Sequence, residues 1–94
     1  MDRIQRLLRE IQNDRSLMDI RYSSSFLNRV GEIFERYGFG TTKVFLLEKR
    51  SREADALLKI IDKIENENIT EIVRNRSIGR MVIKTLITLK RTEV

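Results

Sequence analysis

Phe26, Leu27, Val30, Ile33, Phe34 and Tyr37 fall at i, i+1, i+4, i+7, i+8 and i+11. At about 3.6 residues per turn all six share one face of an α-helix, whereas a strand would scatter them over both faces. The same period recurs along the chain. Ile4, Leu7, Leu8 and Ile11 sit at i, i+3, i+4 and i+7, and Ala54, Leu57, Leu58, Ile61 and Ile64 repeat the pattern. Val82, Ile83, Leu86, Ile87 and Leu89 form a last apolar face. A chain so patterned is all-α. One segment, Lys43 to Leu47, fits either a short strand or the start of a helix, because its β-branched and aromatic content suits both.

The 94 residues contain no proline, so helix breaks fall to Gly, Asn and Ser/Thr. Asn13 and Asp14 end the first helix, and Ser23, Ser24 and Ser25 offer N-cap hydroxyls to the next. Gly38 or Gly40 supplies the left-handed C′ residue after Tyr37, which closes a stripe of ordinary core. Thr41 or Thr42 caps the segment after that break. Glu65 to Asn68 closes the helix that begins near Ser51. A short helix covers Thr70 to Asn75, and the long last one starts at Ile78 or Gly79. This gives four or five helices in a single domain, residues 1–94. Residues 1–40 form a bracing or dimerisation part, and residues 51–91 form a second part. The Ile4, Leu7, Leu8, Ile11 stripe is either core or a homodimer seam.

Composition removes several chemistries. Without Cys or His there is no disulfide, no thiolate nucleophile, no Ser–His pair and no ordinary zinc site. Gly38-Phe39-Gly40 is a lone G-x-G without the remainder of a nucleotide motif. Asp62 with Glu65, or Glu65 with Glu67, reads as solvated charge or an ion pair with Lys59 or Lys63. The chain is therefore expected to be no enzyme and to hold no cofactor or metal. The longest wholly apolar run, Val44 to Leu47, is four residues, far too short to span a bilayer. The expectation is a cytoplasmic protein without a membrane partner.

Charge is unevenly placed. The net charge is +5, yet residues 48–71 hold five basic and seven acidic residues. Residues 74–91 hold six basic residues, Arg74, Arg76, Arg80, Lys84, Lys90 and Arg91, and no acidic one. Arg80, Lys84, Thr88 and Arg91 follow i, i+4, i+8 and i+11, opposite the apolar face. A helix that is apolar on one side and cationic on the other is suited to docking on a polyanion, above all nucleic acid.

The stretch ALLKIIDKIENENITEIVRNRSIGRMVIKTLITLKR, from Ala56, resembles the helix-turn-helix superfamily of DNA-binding domains. Ile72 and Val73 stand where the short helix packs inward. Ile78, five residues after Val73, takes the buried turn position, and Ile83, ten after it, takes the buried position of the recognition helix. Arg76 and Ser77 replace the usual apolar residue and glycine of the turn. The resemblance implies a tri-helical unit in the C-terminal half and binding of double-stranded DNA by a small transcriptional regulator. It implies that Arg80, Lys84, Thr85 and Thr88 face base edges. Arg74, Arg76, Ser77, Lys90 and Arg91 then lie nearer the phosphates.

LLREIQNDRSL followed by FLNRVGEIFERY is similar, more faintly, to the start of the helical domain of GINS replication subunits. The proline and aspartate that precede the phenylalanine in that family are replaced here by Ser24 and Ser25. That resemblance implies the alternative function: a non-catalytic helical subunit of a nucleic-acid complex, whose basic face meets an acidic protein partner.

Overall fold

The computed structural model describes residues 2–92, with side chains described through Thr85. Seven α-helices follow one another among these residues, with no strand. Five are long: α1 (Arg3–Asn13), α3 (Ser24–Tyr37), α4 (Phe39–Lys49), α5 (Arg52–Glu67) and α7 (Arg76–Thr92). Two are single turns, α2 (Arg15–Met18) and α6 (Thr70–Arg74). The 43–47 segment is helical, as part of α4.

Short polar side chains make the breaks. Asp2 accepts from the Ile4 N–H at 2.9 Å and starts α1, and Asp14 does the same for α2 through Ser16 at 3.0 Å. Ser23 caps α3 and Ser51 caps α5, accepting from Phe26 and Ala54. Gly38, at φ 86°, ends α3, its N–H reaching the Phe34 carbonyl. A Cβ there would be strained by that backbone angle and would also meet Nη1 of Arg76 at 2.7 Å. Asn68 closes α5 in the left-handed region, at φ 48°. Asn75 alone separates α6 from α7, and its Oδ1 accepts from the Ser77 N–H at 3.2 Å. The last helix therefore starts at Arg76, two residues before Ile78.

The molecule is a slab of 35 × 34 × 19 Å. That is about two helix diameters thick, so one core layer serves every helix. Phe34, Leu27 and Val30 of α3 meet Leu46 of α4, Leu57, Ile60, Ile61 and Ile64 of α5, Ile72 of α6, and Val82 and Ile83 of α7. Leu7 and Ile11 of α1 are also buried in it, and Ile4 and Leu8 pack against it. Leu7 and Ile11 of the α1 stripe are thus seated in the chain's own core, while Ile4 and Leu8 at its edge stay partly exposed.

The main neighbour of α7 is α3, with smaller contacts to α6 and α1. The α3–α7 approach is close because Gly79 is buried under the Phe34 ring. The order α5, α6, α7 supplies a helix, a short helix and a long helix, yet α7 seats its apolar face chiefly on α3. Val73, expected to point inward, is 57% exposed.

Candidate functional site

Burial sorts α7 into two sides. Gly79, Val82 and Ile83 are buried, while Ser77, Met81 and Lys84 are exposed. The exposed residues are spaced i, i+4 and i+7, one continuous outward stripe. Thr85 flanks it, half-buried, with its hydroxyl donating to the Met81 carbonyl at 2.8 Å. The Ser77 hydroxyl is likewise engaged, donating to Asn75 Oδ1 at 2.5 Å. The side chains of Thr88, Lys90 and Arg91 lie outside the described residues.

Arg80 is placed differently from the outward position the spacing gives it. It lies at the edge of α7 that faces α3, and its Nη1 donates to Glu35 Oε1 at 2.5 Å. Its stem lies over Gly31, where a Cβ would meet Arg80 Cγ at 3.0 Å. The Arg80 Nε is sealed from solvent without a hydrogen-bond partner among the described residues. A guanidinium so held is neutralised locally and serves the α3–α7 contact. Among the described residues the cations of this face that stay in solvent are Arg74, Arg76 and Lys84.

Arg76 joins α7 to the end of α3. Its Nη2 donates to the Arg36 carbonyl at 3.3 Å, and the neighbouring Gly38 leaves room for the guanidinium. A positive charge at the C-terminus of α3 also complements the helix dipole. Arginine at this place in the turn is thus accommodated at the surface, with no charge buried.

An open cleft of about 450 Å³ lies beside this junction. Phe39, Ile72 and Val73 give it an apolar lining, Arg74 and Arg76 are its cations, and Tyr37 is its exposed aromatic. Its lining contains no acidic residue. Tyr37 is 61% exposed despite completing the α3 stripe. It also borders a smaller cleft with Arg29, Glu32, Ile33 and Arg36. Period alone misses Arg36 and places Tyr37 in the core. The available signal is their position, the last two residues before the Gly38 break.

Four acids outside this region, Glu10, Asp62, Glu65 and Glu67, are paired with other cations. Lys43 Nζ bridges Asp62 at 3.5 Å and Glu65 at 2.6 Å. The hydrogen bond to Glu65 holds the Lys43 ammonium above its ordinary value. Lys63 meets Glu10, and Arg6 meets Glu67. The Asp62 and Glu65 carboxylates thus form an ion pair, though with Lys43 and not with their own helix. No group of residues suited to hold a metal ion occurs among the described residues. No helix among them is long and apolar enough to cross a membrane. No protein-family model, no curated protein and no solved structure matches this chain.

Proposed function

We propose that this chain binds double-stranded DNA through the outward face of α7 and the α6–α7 junction, as a small non-catalytic regulator of transcription. One observation carries the reading. Arg74, Arg76 and Lys84 are all solvent-exposed within a stretch that has no acidic residue from Arg74 to Arg91. Arg74 and Arg76 meet phosphates, and Lys84 with Met81 approaches base edges. Thr88, Lys90 and Arg91 extend the same interface in sequence. Arg80, tied to Glu35, positions α7 and makes no base contact.

With five cations engaged, log K falls against log salt with a slope of about −4 to −5. Fluorescence anisotropy on a random-sequence duplex at several salt concentrations measures it. Arg74→Ala flattens the slope by about 0.9. Absence of binding in dilute salt, or binding indifferent to salt, refutes the proposal.

A second reading, a subunit that assembles with a protein partner, is favoured by α4. Val44 and Leu47, one turn apart, are 56% and 59% exposed. Exposed aliphatic pairs of this kind suit a protein contact more than a phosphate.

A further inference from the structure

We infer that the cleft beside Tyr37 takes one unpaired nucleotide at a DNA end, its base against the Tyr37 ring and its phosphate on Arg74 and Arg76. The inference rests on the DNA-binding reading and adds a preference for single-stranded termini. Its ground is the juxtaposition of three chemistries in one cleft.

The first is a surface aromatic. Tyr37 continues the buried stripe of α3, yet most of it is in solvent. Aromatic side chains on which bases stack are the common device of single-strand recognition, because every base has a π-face. The second is an apolar part of the lining, from Phe39 and Val73 over buried Ile72, which suits the flat faces of a heterocycle. The third is paired guanidinium charge without a carboxylate among the lining residues. Arginine forks match phosphate oxygens in two-point contacts.

Arg76 is already oriented by its bond to the Arg36 carbonyl. That is its one hydrogen bond among the described residues, and a guanidinium carries five donors. The cleft's volume, about 450 Å³, lies in the range of small-ligand sites. An unpaired nucleotide can enter it while the flanking duplex lies along α7.

The test uses the intact chain and two DNA hairpins, one blunt and one with a 3′ thymidine overhang. Stacking of one base predicts that the overhang hairpin binds about 5- to 150-fold more tightly. Tyr37→Phe keeps this ratio, because the ring is what stacks. Tyr37→Ala brings the ratio to one. A third hairpin, whose overhang is abasic, also loses the preference with the wild-type chain, so the test stands even where an alanine variant fails to fold.

Equal binding of blunt and overhang hairpins by the wild-type chain overturns the cleft assignment and leaves the duplex reading intact. So does an undiminished preference for the abasic overhang, which would reduce the site to a phosphate contact. Failure of every hairpin to bind in dilute salt overturns both readings.

Discussion

Replacing Gly79 with alanine tests the contact on which the placement of α7 depends. A Cβ at this position would overlap Cε2 of Phe34, lie 2.9 Å from its Cζ and 3.2 Å from Cγ2 of Ile72. Carbon atoms prefer about 3.5–4.0 Å, so the ring must move or the helices must part. The ring has little freedom: Phe34 is fully buried and packs edge-on against Phe39 at 4.9 Å and 76°. Overpacking a tight core costs about 1–3 kcal/mol, and this site belongs at the upper end. Alanine returns about 1 kcal/mol of helix propensity. The net loss is about 2 kcal/mol, which in a domain of this size lowers Tm by roughly 8–16 °C.

Gly31, on the opposite side of the same interface, is the internal control. A Cβ there meets only the Arg80 stem, a flexible chain that yields, so Gly31→Ala shifts stability by less than about 1 kcal/mol. Urea titration followed by circular dichroism gives both values. Phe34→Leu combined with Gly79→Ala shows a favourable coupling of about 1 kcal/mol or more, because the smaller side chain relieves the overlap. A Gly79→Ala chain as stable as wild type refutes the close approach of α3 and α7, and a Gly31→Ala chain that falls as far as Gly79→Ala refutes the yielding of the Arg80 stem.

Glu35→Gln acts in opposite directions on two properties. It weakens the Arg80 bond and lowers stability by about 1 kcal/mol, read as a lower urea midpoint. It also removes a negative charge beside the basic face and tightens DNA binding severalfold in the same anisotropy assay. Ser51→Ala removes the hydroxyl that accepts from Ala54 and costs about 1 kcal/mol in the same denaturation assay, which Ser51→Asp largely restores. Burial, and then Glu53 and Asp14, push the Tyr22 phenol above its ordinary 10.0, and its hydroxyl donates to the Leu17 carbonyl at 2.6 Å. The folded chain then keeps a proton that the unfolded chain gives up. The contribution is whole below pH 10 and declines as pH rises beyond it. Denaturation midpoints measured across the alkaline range fall more steeply for wild type than for Tyr22→Phe.

What the sequence makes legible is local. The stripes of α1, α3 and α5 emerge directly from apolar spacing, and Ser23, Gly38 and Ser51 mark their ends by capping chemistry. The helix α4 is illegible by the same logic. Val44 to Leu47 are consecutive apolar residues, which carry no period, and only Leu46 among them is fully buried. Period also names a face without naming what meets it. The α1 stripe could equally serve a core or a second copy, and the α7 face could equally meet α6 or α3. Non-local contacts seat Leu7 and Ile11 in the core and the α7 face chiefly on α3. Tyr37 continues the α3 stripe in angle, yet it lies at the mouth of the cleft between α3, α6 and α7 and is left at the surface.

Arg80 is the most instructive residue of the candidate site. By angle it sits between the apolar and polar sides of α7, and a local rule counts it with the polar side. Glu35, on a different helix, takes its guanidinium. The basic tract therefore carries six cations in sequence but at most five for a polyanion. At about 0.9 per cation, the expected salt slope drops from about −5.4 to about −4.5. Glu35→Gln should return the slope toward the larger magnitude, because Arg80 is then free to release a counterion of its own. A slope that the substitution leaves unchanged would mean that Arg80 is held by its packing over Gly31 and not by its charge partner.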